Sequence, residues 1–265
     1  MGSTLFTMQR IDPISTHSLL LRTYCRGRHL GIATGFVVLK NNVHYLVTNQ
    51  HVVSGLNIWN DQPSHSDGLV PDSISILHHV RGHLGRWTAI KERLRSEDDR
   101  PLWIEHPVGK QIDIAFLRLT SFYDESLLCI ATYPLDLAIR NTQIPLFPTS
   151  PVSIVGFPFG NGQLDGLPIW KSGSIASDPD IDYEGHPQIL VDCIGRQGMS
   201  GSPVYARRIG GFTDVNGSFS ISVGGAMTTD RFVGIYAGSI DKASEIGRVW
   251  KASAVLETYS TLPGL

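Results

Sequence analysis

Short apolar segments recur along the whole chain, and residues that favour turns separate them. The 265 residues include 27 glycines and 15 prolines, and convincing helical periodicity is scarce. Brief apolar or alternating runs between turns are typical of β-strands, so the pattern predicts an all-β protein with sandwich or barrel closure. The predicted strands span residues 32–39, 43–48, 74–77, 87–90, 112–119, 152–156, 188–191, 219–223 and 232–237.

The chain divides into two strand-rich halves. Residues from about 120 to 151 lack a clean strand period and contain four prolines, which indicates a connector. Residues 252–259 form an apolar-polar run that predicts one short terminal helix. We predict an N-terminal half at 1–128, a connector at 129–151 and a C-terminal half at 152–265. Residues 54–110 are expected to form strands joined by long surface loops, and their sequence indicates no function.

Composition excludes several classes of protein. A net charge of −2 without a block of basic residues argues against a nucleic-acid or anionic-membrane surface, so we expect a polypeptide partner. The N-terminus has no signal-peptide pattern, and no apolar run is long enough to span a membrane. Cys25, Cys129 and Cys193 are odd in number and widely separated, which fits reduced thiols and predicts a cytoplasmic protein.

Three separated residues carry the chemistry that we predict. Ser200 lies in the sequence Gly-Met-Ser-Gly-Ser-Pro at 198–203, His51 follows the apolar run 43–48, and Asp113 interrupts another apolar run. A serine hydroxyl is a weak nucleophile and needs a base, and histidine, with a pKa of about 6.5, can take and return a proton. Taken alone, the serine is explained by a turn in which it caps a backbone amide, and the histidine by a core or surface position where its hydrogen bonds are satisfied. The combination favours a nucleophilic serine.

Asp113 is the strongest local anomaly. A carboxylate among Ile112, Ile114 and Phe116 costs several kcal/mol unless it is partnered. A histidine and backbone amides would satisfy it. The alternative is an aspartate at a strand end that faces water.

The order His, Asp, Ser along the chain is that of the chymotrypsin barrels, whereas subtilisins and α/β-hydrolases have other orders. The hydrolase motif G-x-S-x-G also fails, because Ser202 stands where its last glycine is required. The chain resembles the trypsin/chymotrypsin-like serine peptidases over roughly residues 20 to 260, and most of all their intracellular and HtrA-type bacterial branch. The stretches 33–38, 155–160 and 172–176 add to this resemblance.

The resemblance implies two six-stranded Greek-key β-barrels of chymotrypsin type and a serine endopeptidase that needs no cofactor and no metal. It assigns His51 as general base and acid, Asp113 as the residue that orients it, and Ser200 as nucleophile. The backbone N–H groups of Gly198 and Ser200 become the oxyanion hole. The substrate-binding residues are then Ile194 and Gly195 at the floor of the specificity pocket, with Tyr236, Ala237 and Gly238 on the strand that pairs with the substrate. The uncharged floor favours a small or aliphatic substrate side chain, and the alternative is an acidic side chain selected by Arg196 or Arg248.

Two other readings stay open at this point. Met199 and Ser202 depart from the residues common in the family, which leaves a catalytically inactive or latent peptide-binding module as the alternative. A regulatory protein partner is compatible with either reading. The histidines at 78, 79 and 83 raise the question of a metal, but no Glu or Cys completes a ligand set, so we expect none.

Overall fold

Two β-sheets account for most of the structure. The computed structural model describes residues 11–81, 83, 86–121, 144–163, 166–221, 228–241 and 243–263. The first sheet has seven strands, with spatial order β5-β4-β1-β2-β3-β7-β6. Its strands are β1 (Ser18–Cys25), β2 (Arg28–Lys40), β3 (Val43–Thr48), β4 (Ser73–His79), β5 (Trp87–Arg93), β6 (Trp103–Glu105) and β7 (Ala115–Arg118).

The second half is a closed barrel of six strands in the order β10-β15-β14-β11-β8-β9. A separate hairpin, β12 with β13, extends from it, and α2 packs against β14 and β15. These elements are β8 (Pro151–Gly156), β9 (Ile169–Ile175), β10 (Gln188–Asp192), β11 (Pro203–Ile209), β12 (Gly211–Thr213), β13 (Phe219–Ile221), β14 (Thr228–Ser239), β15 (Ile246–Lys251) and α2 (Ala252–Thr261).

The pleat of the central strands divides their side chains between two cores. Val37 on β2 pairs with Leu46 on β3, and both pack inside the first sheet. Their neighbours Phe36 and Val47 also pair, but they belong to a cluster shared with the second half, which includes Trp250. Because alternate side chains of a strand point to opposite faces, the same two strands hold the first half together and join it to the barrel.

These elements confirm the all-β class, the six-stranded barrel and the terminal helix. The first half differs from the expectation of six strands, since its described strands form a seven-stranded sheet with edges at β5 and β6. The strand predicted at 112–119 is shorter than expected, because the backbone pairs only from Ala115 to Arg118. Residues 222–223 of the strand predicted at 219–223 lie outside the described residues.

The domain boundaries and the cellular location stay predictions. Most of the connector at 129–151 falls on residues 122–143, outside the described part, so the three boundaries stay predictions. Cys25 and Cys193 are free thiols, and Cys129 lies outside the described residues. A cytoplasmic location likewise stays a prediction.

Within the described residues, no helix is long and apolar enough to cross a lipid bilayer, and no cluster of His, Cys, Asp and Glu is arranged to hold a metal ion.

Candidate active site

A one-turn helix presents His51. Strand β3 ends at Thr48, and the chain turns at Asn49 into α1 (Gln50–Ser54). Gly55 ends the helix with a φ of 71°, and its N–H donates to the carbonyl oxygen of His51 at 3.0 Å. Glycine adopts this left-handed conformation without strain, which allows the helix to end about one turn after His51.

Asp113 contacts His51 with both carboxylate oxygens. Its Oδ1 accepts the backbone N–H of His51 at 2.8 Å, and its Oδ2 lies 2.7 Å from His51 Nδ1. The carbonyl oxygen of Asp113 accepts a hydrogen bond from the Asn49 side chain at 2.8 Å. Asp113 is only 2% exposed, so the reading of an aspartate that faces water is wrong, and the expected partners, a histidine and a backbone amide, are present. It precedes β7 instead of lying within a strand.

The carboxylate sets both the orientation and the protonation of the imidazole. An ionised carboxylate only accepts hydrogen bonds, so Nδ1 of His51 carries a hydrogen and Nε2 of the neutral ring is free to accept a proton. Burial lowers the pKa of His51, but the charge and hydrogen bond of Asp113 outweigh that effect and raise the pKa above its ordinary value of 6.5. The ring is therefore a stronger base than an isolated histidine.

Ser200 lies in a tight turn between two glycines with positive φ. Gly198 has a φ of 94° and Gly201 a φ of 85°. A Cβ at Gly201 would overlap the carbonyl oxygen of Thr34, so no other residue fits there. Met199 is fully buried in the core of the barrel, which explains why an apolar residue stands at this position.

Of the four backbone N–H groups from Gly198 to Gly201, two have acceptors and two have none among the described residues. The N–H of Met199 bonds to the carbonyl oxygen of Arg196 at 3.1 Å, and the N–H of Gly201 bonds to that of Tyr236 at 2.9 Å. Within the described residues, the N–H groups of Gly198 and Ser200 have no hydrogen-bond acceptor. A pair of unsatisfied donors flanking a serine is the arrangement that stabilises a developing oxyanion.

Thr34 on β2 fixes the position of this turn from the other half of the chain. Its N–H donates to the carbonyl oxygen of Ser200 at 2.8 Å, and its Oγ1 donates to that of Gly198 at 2.8 Å. The same Oγ1 accepts the N–H of Phe157 at 3.1 Å. Thr34 is completely buried, so these bonds are shielded from water. The sequence contains a signal for this role, one hydroxyl in the apolar run 33–38, although sequence reasoning did not identify it.

The candidate nucleophile and base lie in one crevice. His51, Gly198 and Ser200 line a shared cavity of about 470 Å³ together with residues of β2. Neither Ser200 Oγ nor His51 Nε2 forms a hydrogen bond with any described residue. Hydrogen bonds between catalytic groups are often long in the absence of substrate and tighten when it binds.

An open strand edge runs past Ser200. Strand β11 pairs with β14 only as far as Ile235. The carbonyl oxygen of Tyr236 accepts the N–H of Gly201, and the N–H of Tyr236 donates to the carbonyl oxygen of Ser202, so the serine turn uses both backbone groups of Tyr236. Beyond Tyr236, this edge of β14 at 237–239 has no strand partner among the described residues. An extended peptide can add to such an edge, which favours Ala237 and Gly238 over the Tyr236 backbone as its partners.

A second cavity, of about 380 Å³, lies beside Ser200. Gly195, Tyr236 and Gly238 line it, while the half-buried Ile194 does not. The buried Tyr236 ring occupies space next to Gly195, where a Cβ would overlap the Tyr236 hydroxyl. The Tyr236 ring therefore takes up space on the Gly195 side of this cavity, and the assignment of Ile194 to the floor of a specificity pocket stays a prediction.

Comparisons with known proteins give a family match and similar solved structures. The pattern of the trypsin-like peptidase domain matches residues 33–210. A thermostable serine protease, AL20, from an extremophilic microorganism has a similar structure, with a TM-score of 0.50, 13% identity and coverage of 94% of this chain and 97% of that chain. The Rv3671c protease from M. tuberculosis in its active form gives a TM-score of 0.49, 17% identity and coverage of 95% and 83%. No curated protein sequence is significantly similar to the chain.

The fold and the match define the class of protein. Residues 33–210 are well over half of the chain and include the helix of His51, the loop of Asp113 and the turn of Ser200. The chain belongs to the family of trypsin-like peptidase domains. The structural likeness to AL20 independently supports the chymotrypsin-like fold.

Proposed function

We propose that the protein is a serine endopeptidase that hydrolyses peptide bonds through an acyl-enzyme on Ser200. The observation that carries this proposal is the two-point contact of Asp113 with His51, in the same crevice as Ser200. A buried carboxylate that orients a histidine beside an accessible serine is the arrangement that activates a hydroxyl. The substrate is a polypeptide.

Acylation begins when the Ser200 oxygen bonds to the carbonyl carbon and its proton passes to His51 Nε2. The carbonyl oxygen gains negative charge, which the free N–H groups of Gly198 and Ser200 stabilise; such a donor typically contributes about 3 kcal/mol to the transition state. The C–N bond then breaks, and His51 returns the proton to the leaving amine.

Deacylation repeats these steps with water. The oxygen of a water molecule bonds to the acyl carbon while His51 takes a proton from that water. The bond between the acyl carbon and Ser200 Oγ then breaks, and His51 returns the proton to the serine oxygen. Asp113 stabilises the charged imidazole in both halves of the reaction. These residues account for every proton, so the proposed reaction needs no cofactor.

The cavity beside Ser200 favours a small or aliphatic substrate side chain. Tyr236 takes up the space next to Gly195. Among the described residues, Arg196 and Asp241 are the charged residues that line this cavity, and their charges are opposite, so neither sign dominates it.

Peptide hydrolysis by the native protein and two variants tests the proposal. Ser200→Ala removes the nucleophile and is expected to lower kcat on the order of 10⁶-fold. Ser202→Ala is the matched control, because this buried serine lies two residues away and its Oγ has no hydrogen-bond partner among the described residues; it should keep its rate within a few-fold. Hydrolysis that persists in Ser200→Ala contradicts the proposal, and binding of an extended peptide without cleavage supports the non-catalytic alternative.

A further inference from the structure

Arg248 on β15 carries a half-buried guanidinium that no carboxylate within the described residues neutralises. Its Nη2 donates to the carbonyl oxygen of Ile240 at 2.6 Å, but its buried Nε has no hydrogen-bond partner in the described part of the chain. The group lies 5.8 Å from the centre of the Trp59 ring. A half-buried charge with a free donor costs free energy unless a ligand pairs with it.

The guanidinium borders the candidate active site. Arg248 and Trp59 line a cavity of about 370 Å³ together with His51, Asp113 and Ala237. No ion pair joins Asp113 to Arg248 among the described residues, and the Asp113 oxygens bind His51 instead. The cavity follows the open edge of β14, so a peptide strand added to that edge places side chains next to Arg248.

We propose that Arg248 selects an acidic side chain on the substrate segment that pairs with the edge of β14. A guanidinium binds a carboxylate through two parallel hydrogen bonds, and a partly desolvated site strengthens the pair. The Trp59 ring adds a flat surface that holds the guanidinium in place. Arg196 is a weaker candidate, because it is exposed and water screens its charge. The proposal rests on the proposed function and adds a substrate class to it.

Peptide pairs whose two members differ only by Asp or Asn at a single position test the selection. For the position that lies next to Arg248, the native protein is expected to cleave the Asp peptide with a kcat/KM roughly 10- to 100-fold higher than the Asn peptide, the gain typical of a charge-assisted hydrogen bond. Arg248→Gln should reduce this preference to about twofold, and Arg248→Lys should keep part of it. Equal rates for both peptides, or a preference that Arg196→Gln abolishes and Arg248→Gln keeps, would overturn the inference.

Arg95 offers the matched control. Its guanidinium lies 5.6 Å from the Trp103 ring, and its buried Nε also has no partner among the described residues. Arg95 belongs to the loop between β5 and β6, lines none of the three cavities at the candidate site, and differs from Arg248 in having Asp99 3.6 Å from its Nη1. Arg95→Gln removes an arginine that likewise lies over a tryptophan ring, and it should leave the Asp preference unchanged. A preference lost equally in Arg95→Gln and Arg248→Gln reports general destabilisation and contradicts a specific role.

Binding to the Ser200→Ala variant separates the two proposals. If the native protein cleaves no peptide, the proposed function fails, yet fluorescent Asp and Asn peptides still measure charge selection at equilibrium. Tighter binding of the Asp peptide that is lost in Ser200→Ala/Arg248→Gln supports the role of Arg248. Equal affinities, or no binding of either peptide, overturn it.

Discussion

At the scale of single residues, the carboxylate of Asp113 determines how His51 behaves. One oxygen fixes the histidine backbone and the other fixes its ring, so neither the position nor the tautomer of the base depends on substrate. Burial of the ring opposes its charging, and the nearby negative charge reverses that effect. The same group therefore contributes orientation and basicity.

Asp113→Asn tests both contributions. An amide can donate to Nδ1 and thereby favour the wrong tautomer, so kcat should fall on the order of 10⁴-fold. Activity of the native protein requires neutral His51 and should rise with pH, with a midpoint above the ordinary pKa of 6.5. Without the Asp113 charge the midpoint should move to lower pH. Rate profiles between about pH 5 and pH 9 measure both effects.

Glu92→Gln is the control for loss of a buried carboxylate as such. Glu92 is 4% exposed and accepts hydrogen bonds from Thr120 and Ser121, outside the candidate site. This variant is expected to lose stability but to keep the native pH profile per folded molecule. An Asp113→Asn variant with native kcat would contradict the assigned role of Asp113.

At the scale of elements, the turn around Ser200 depends on β2 of the other half. Thr34 satisfies the carbonyl oxygens of Gly198 and Ser200 and the N–H of Phe157. The Gly198 carbonyl shares its peptide plane with the N–H of Met199, and the Ser200 carbonyl shares its plane with the N–H of Gly201. Thr34 therefore holds the two peptides that flank the one carrying the free N–H of Ser200. Thr34 is a positioning residue for the oxyanion donors.

Thr34→Val tests this role by removing the hydroxyl while keeping the shape of the side chain. The change leaves a buried carbonyl and a buried N–H unpaired, which should cost about 1–3 kcal/mol of stability, and kcat should fall about tenfold or more. Thr258→Val is the control, because Thr258 is equally buried but bonds within α2. Unfolding in urea and kcat for both variants check the prediction. Equal kcat in the two variants would contradict it.

Elements with a strong local pattern were predictable. Strand β3 has the predicted bounds, because Val43 to Thr48 is a nearly continuous apolar run. Strand β15 was missed because Gly247 and Arg248 interrupt its pattern, and only pairing with β10 and β14 makes it a strand. Helix α1 has five residues, too few for a helical period to appear.

At the scale of the whole molecule, the candidate site joins two halves of the chain. His51 and Asp113 belong to the first half and Ser200 to the second. The shared core around Phe36 and Trp250 holds the halves together, and Thr34 bonds directly across them. The three candidate site residues could be chosen from short motifs, and their roles stay a prediction. The bonds of Thr34 and the placement of the Tyr236 ring beside Gly195 could not be predicted, because they arise from packing between distant segments.

Covalent labelling with a fluorophosphonate probe tests the central claim most directly. The probe reacts with a serine only when a base and oxyanion donors activate it. We predict one adduct per folded native molecule, located on Ser200 by mass spectrometry of its peptides, and none on Ser200→Ala. A folded native protein that stays unlabelled, or an adduct on Ser202 instead, would contradict the account.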